Sequence, residues 1–160
     1  MTQYWLMKSE PEECGIDDAL AAPDATVPWT GVRNYQARNF MRDGMCVGDG
    51  VLFYHSSCPQ PGIAGIARVA SGVRPDPTQF DPASPYFDPK SPTDRPRWLL
   101  LDVQALQKTR LIGLPELRAT PELADMVLLQ RGSRLSITPV RDVHWHWITQ
   151  RLLTGGAQPD

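Results

Sequence analysis

Apolar positions along the chain fall in short runs, some alternating and some at helical spacing, with no long continuous stripe. Tyr4-Trp5-Leu6-Met7 is dense and aromatic and predicts a buried first strand, which Pro11 stops. Ile16 to Leu20 fits one short helix. Tyr35 to Arg42 keeps helical register behind Asn34, a good N-cap, with Val32, Tyr35 and Phe40 toward a core and Arg38 and Arg42 on another face. Val47-Gly48-Asp49-Gly50 is a turn that feeds the clearest strand, Val51 to Ser56, in which Val51, Phe53 and His55 alternate with Leu52, Tyr54 and Ser56. Ile63 to Val73 reads as the returning strand, and Gly65 within it marks a bulge or a close backbone approach. Arg97 to Leu106 predicts another strand, with Leu99, Leu101 and Val103 on one face and Trp98, Leu100 and Asp102 on the other. Thr120-Pro121-Glu122 reads as a helix start, followed by a stripe of Leu123, Met126 and Val127. Leu135 to Val140 is a last strand, and Asp142 caps a final helix that buries Val143, Trp147, Ile148 and Leu152.

Residues 74–96 break this rhythm, holding seven of the sixteen prolines together with Phe80, Tyr86 and Phe87. The aromatic content predicts an ordered flap rather than a linker. As a docking surface for another protein it lacks a clean PxxP array with basic flanks, so a self-packed flap is the better reading. Five or six strands with mostly turn-like links and short helices between them make an α+β fold. Closure into a small mixed β-barrel would remove the exposed edges. The pattern assigns residues 1–154 to a single domain and residues 155–160 to a frayed tail.

Charge narrows the partners. Sixteen basic against eighteen acidic residues leave a net charge of −2, which argues against binding long duplexes through their phosphates. Any nucleic-acid role must rest on a local patch or on contacts to bases. The three cysteines form no CxxC pair, which argues for reduced thiols in the cytoplasm, or in the nucleus of a eukaryote, and against a zinc ribbon. No stretch reads as a signal peptide or a membrane span.

The stretch from Trp29 to Arg42 concentrates the candidate chemistry. A flat ring beside a glycine and a helix N-terminus, with basic side chains near, suits a stacked base and its phosphate. The same residues also describe a core tryptophan before a surface helix. Trp29, Tyr54 and Trp98 could supply a slot for a base, Ser9, Asn34 and Ser56 its polar edge, and Lys8, Arg33 and Arg38 a phosphate site.

Tyr4 to Pro11, Trp29 to Arg42, Gly48-Asp49 with Leu52 to Ser56, Pro96-Arg97-Trp98 and Gly132 to Ser136 together resemble the EVE domain family, in order and spacing, from Tyr4 to Ile148. That resemblance implies a PUA-like barrel related to the YTH readers of methylated RNA. It also implies a small pocket for a modified base, with DNA carrying modified cytosine among the ligands. By motif position the implied pocket residues are Lys8, Ser9, Trp29, Gly31, Val32, Arg33, Asn34, Tyr54, His55, Ser56, Trp98, Arg134 and Ser136. The expected partner is therefore nucleic acid carrying a modified base, with no cofactor and no metal.

The rival reading is a small hydrolase or transferase acting on a nucleotide-like substrate. His55 and Ser56 point apart on a strand, whereas His55 and Ser57 could share a face. No carboxylate is placed in sequence to orient the histidine. His144 and His146 flank Trp145 but lie about 200° apart on a helix, which makes them surface or capping residues rather than metal ligands.

Overall fold

The computed structural model describes residues 2–131 and 134–153. The first strand, β1 (Tyr4–Ser9), is followed by a helical turn α1 (Pro11–Cys14), the short helix α2 (Ile16–Ala21) and an edge strand β2 (Thr26–Pro28). Helix α3 (Tyr35–Asn39) runs into a π-type turn, Phe40–Gly44, before β3 (Gly50–His55) and β4 (Gly62–Val69). The flap contributes β5 (Arg74–Pro75), which pairs with β6 (Leu99–Leu100). The long strand β7 (Asp102–Gly113), helix α4 (Leu114–Ala119), strand β8 (Ile137–Val140) and helix α5 (Asp142–Trp147) complete the described chain, with a last π-type turn, Ile148–Leu152.

Six strands form one mixed sheet in the order β2-β7-β4-β3-β1-β8. The expected barrel does not close: β2 and β8 remain edges. Both are short and carry a proline, Pro28 and Pro139, which blunts an edge without pairing it. All pairs in this sheet are antiparallel except β1 with β3, which run parallel from Tyr4↔Gly50 to Ser9↔His55. The helices and β2 between those two strands supply the crossover that a parallel pair requires.

Alternation along β1 and β3 feeds two cores. Trp5, Met7, Val51 and Phe53 pack beneath α2 and α3 with Ile16, Ala37, Met41, Trp29 and Val32. Leu6, Leu52 and Tyr54 face the other way, against Ile112, Leu117, Leu123 and Ile148. The turn before β3 is pinned by Asp49, whose carboxylate accepts the Trp5 indole N–H at 3.0 Å and the N–H groups of Gln3 and Cys46. Gly65 fits the close-approach reading, since a Cβ there would stand 2.4 Å from Ile16 Cδ1 and the β4–β7 register shifts beside it.

Several elements differ from the sequence expectation. The returning strand stops at Val69, and the next long strand begins at Asp102 rather than Arg97, because Trp98 is bonded into the flap through Gln79. Thr120 starts no α-helix; Pro121–Leu123 and Val127–Leu129 are 3₁₀ turns, and Leu123, which ends the first, and Met126, which caps the second, are both buried. Helix α4, just before them, carries no strong cap and escaped the sequence reading. In α5 it is His144 that is buried, held by Asp125 at 2.7 Å, while Val143 is exposed. The motif residues Gly132 and Ser133 and the tail 155–160 lie outside the described residues. No helix among the described residues is long and apolar enough to cross a membrane.

Candidate functional site

Two parallel strands end at the same edge of a sheet, and where the chain then leaves in different directions a crevice opens. Here β1 leaves into α1 while β3 leaves into the turn at Ser56 and Ser57, and a cleft of about 460 Å³ lies between them. Lys8 and Ser9, at the end of β1, form its floor with Ser56 and Ser57. Two backbone bonds tie the floor together: Ser56 N–H donates to Ser9 O at 2.9 Å, and Lys8 N–H donates to Ser136 O at 2.8 Å. The Ser9 hydroxyl donates to Cys14 O at 2.7 Å and so fixes α1 as one wall, which brings Glu10 and Glu13 to the cleft. Burial pushes the Cys14 thiol pKa up, with Asp18 adding to the effect, so Cys14 stays a protonated wall residue.

The opposite wall is the Trp29–Val32 segment. Trp29 stands edge-on to Phe53 with centroids 5.2 Å apart, and its N–H donates to Leu101 O. Gly31 has φ +84, and a Cβ there would lie 2.7 Å from Cζ of Tyr86, so only glycine lets the tyrosine ring lie against this wall. Tyr86 reaches across from the flap and donates its hydroxyl to Glu13 at 2.6 Å, bridging the two walls. Burial and the Glu13 bond push the Tyr86 pKa up to about 12. Its backbone is bolted down by Arg33, which donates to Tyr86 O through Nε and Nη2.

Of the sequence candidates, the structure brings Lys8, Ser9, Trp29, Gly31, Val32, Ser56, Arg134 and Ser136 to this one cleft. The other six have structural partners elsewhere. The remaining Arg33 donors go to Val32 O, Asp76 and Thr78, which uses all five N–H groups of the guanidinium and leaves none for a phosphate. Burial pushes the Asp76 carboxyl pKa up, but bonds from Thr78, Gly31 N–H and Arg33 outweigh it and hold the group below its ordinary value. Asn34 caps α3, accepting from Gln36 and Ala37 N–H, and Arg38 is engaged by Asn39 and Arg97 O. Trp98 supports the flap, with its indole N–H on Asp88 at 2.8 Å and its ring stacked on Tyr35 at 4.8 Å. Tyr54 faces the opposite core, away from Trp29.

His55 also serves the fold. Its Nε2 accepts Ile16 N–H at 3.1 Å and so caps α2, which occupies the atom a His55–Ser57 dyad would need. Burial holds the His55 pKa below its ordinary value. Sequence reasoning missed Glu13 and Tyr86. The only available signals were an acidic pair after β1 and an aromatic in the proline-rich flap, and neither indicates that they meet across 73 residues.

Opposed charge is the cleft's main electrostatic feature. Lys8 lies on the face of β1 opposite to Ser9, and burial lowers its pKa. Lys8 and the exposed Arg134 line the cleft without an ion-pair partner among the described residues; Glu10 and Glu13 line it too, and Lys8 Nζ lies 5.9 Å from the centre of the Tyr54 ring.

Solved structures share this architecture. A hypothetical protein from Leishmania major superposes with a TM-score of 0.92 at 41% identity, over 99% of this chain and 98% of its own. A protein from Pseudomonas putida is 49% identical, with a TM-score of 0.86 over 92% of this chain and 97% of its own. Human THYN1 protein, in complex with 5-methylcytosine containing DNA, is 38% identical, with a TM-score of 0.88 over 99% of this chain and 100% of its own. Thymocyte nuclear protein 1 of Homo sapiens is 42% identical over 166 residues, covering 92% of this chain and 73% of the human protein. Residues 3–151 match the EVE domain, and the chain belongs to that family.

Proposed function

We propose that this domain is a reader of modified DNA, which receives a modified cytosine in the cleft at the ends of β1 and β3 and releases it unchanged. The observation that carries the reading is the cleft itself, about 460 Å³, with the Trp29 wall, hydroxyls on its floor and charge of both signs at its rim. That size suits one extruded base and excludes a duplex. The likeness to human THYN1 protein in complex with 5-methylcytosine containing DNA favours DNA as the carrier and cytosine as the base.

Binding without turnover is supported by how the reactive groups are used. The His55 nitrogen facing Ile16 is taken, Cys14 is protonated, and Tyr86 is held far above neutral pH as a donor to Glu13. No group of three or more His, Cys, Asp and Glu among the described residues could hold a metal ion. The test is a binding titration with oligonucleotides of one sequence carrying cytosine, 5-methylcytosine or a modified RNA base, followed by mass spectrometry of the recovered nucleosides. Tighter binding of 5-methylcytosine DNA, lost in Lys8→Ala and Ser9→Val, is expected, with every nucleoside recovered intact. Indifference to the modification, or a converted nucleoside, would sink this reading.

A further inference from the structure

The Tyr86–Glu13 bridge places a carboxylate of fixed orientation at one wall of the cleft. Both Glu13 oxygens lie within reach of the phenol, at 2.6 and 2.7 Å, so the bridge leaves further lone pairs free. A carboxylate only accepts hydrogen bonds. Lys8 and Arg134 also line the cleft, and they only donate. The Glu13 carboxylate is thus an oriented acceptor in a cleft that also holds donors.

A pyrimidine edge comes in two patterns. The 4-amino form presents a donor at one end and a carbonyl acceptor at the other, with an acceptor nitrogen between. The 4-oxo form presents acceptors at both ends and a donor between them. A carboxylate held in place is complementary to the amine of the first, and it is set against the O4 of the second. We infer that Glu13, positioned by the Tyr86 hydroxyl, accepts the exocyclic amine of the bound base and makes the cleft select a 4-amino pyrimidine over its 4-oxo counterpart. This rests on the cleft being the base site and adds which residue decides the identity of the base. The methyl group is then a second, separable determinant, because it neither donates nor accepts a hydrogen bond and a carboxylate reads only the amine.

Thymine carries the same 5-methyl group as 5-methylcytosine and differs only along this edge, so the pair isolates the edge from the modification. Binding is measured by fluorescence anisotropy with two single-stranded oligonucleotides, identical except for 5-methylcytosine or thymine at one position, beside an abasic control. Single strands remove the difference in unpairing cost. The parent should prefer 5-methylcytosine by about tenfold or more. Glu13→Gln, whose amide can donate to O4, should bring the ratio to within about threefold while melting like the parent. Tyr86→Phe removes the anchor and should lower the same ratio, a change that looser packing alone would not produce. A parent preference that survives Glu13→Gln overturns the assignment of Glu13 and leaves the base site standing. A parent that binds neither base better than the abasic strand overturns both.

Discussion

Arg33 and Asp76 meet at 3.0 Å beneath the flap, with the carboxylate fully buried and the guanidinium's other donors spread over three further residues. A pattern of basic residues beside a helix N-terminus suggested a phosphate site, yet this pair spends that charge inside the molecule. Removing one member of a buried pair strands the other, at a cost of about 3–5 kcal/mol. Arg33→Ala should lower stability by that order in chemical denaturation and expose the flap to limited proteolysis. Arg33→Lys should recover little of it, because an ammonium cannot span the positions reached by a planar fork.

Trp98 should behave as a structural tryptophan. It is 5% exposed and Trp29 is 6% exposed, so both are more deeply packed than the half-buried Trp147. Trp98→Ala should cost about 3–5 kcal/mol in a denaturation experiment. Trp98→Phe keeps a ring against Tyr35 and gives up the bond to Asp88, for about 1 kcal/mol. Binding by Trp98→Phe should stay close to that of the parent, since its ring does not line the cleft.

Stability should fall with mild acid because of His55. As an acceptor toward Ile16 its Nε2 must be unprotonated, and burial, helped by Lys108 and opposed by Asp17 and Asp18, keeps its pKa below the ordinary 6.5. The unfolded chain binds a proton near that value, whereas the folded chain does so only at lower pH. The contribution is therefore complete above pH 6.5 and is lost as pH falls from there through the folded value. The urea midpoint, followed from pH 7.5 to 5.5, should drop in the parent and much less in His55→Gln, whose amide oxygen accepts without titrating.

Salt should act weakly. With Arg33 and Arg38 engaged by protein groups, Lys8 and Arg134 are the cleft's cations. Two phosphate contacts give a slope of log affinity against log salt of about −2. Titrations at several salt concentrations check this, and a slope near −8 would require a basic surface that a net charge of −2 does not suggest.

Local chemistry explains what the sequence made legible. Tyr4 to Met7 and Val51 to Tyr54 could be placed because a buried strand needs little beyond its own apolar density. Helix α3 could be placed because Asn34 announces it. The parallel pairing of β1 with β3 left no local trace, and the barrel was drawn from turn-like links alone. Proximity of motif residues to a pocket was half legible: the strand-end serines and Lys8 reach the cleft, while Arg33, Asn34, Tyr54, His55 and Trp98 hold its surroundings in shape. Both kinds of residue belong to the same motifs, so membership in a motif could not separate contact from support. Distant partners decided that, such as Asp76 for Arg33 and Ile16 for His55.

The parallel β1–β3 pair, flanked by a strand on each side, also divides the site by how readily its parts unfold. Amides of central strands exchange with solvent only through the largest openings, whereas loops held by side chains open on their own. The floor at Ser9 and Ser56 hangs from a ladder between two interior strands, and Tyr86 hangs from an irregular excursion bolted at Arg33. In deuterium labelling the two should separate by orders of magnitude in rate. Substitutions within the excursion can then reshape what the cleft admits while the register beneath it stays fixed.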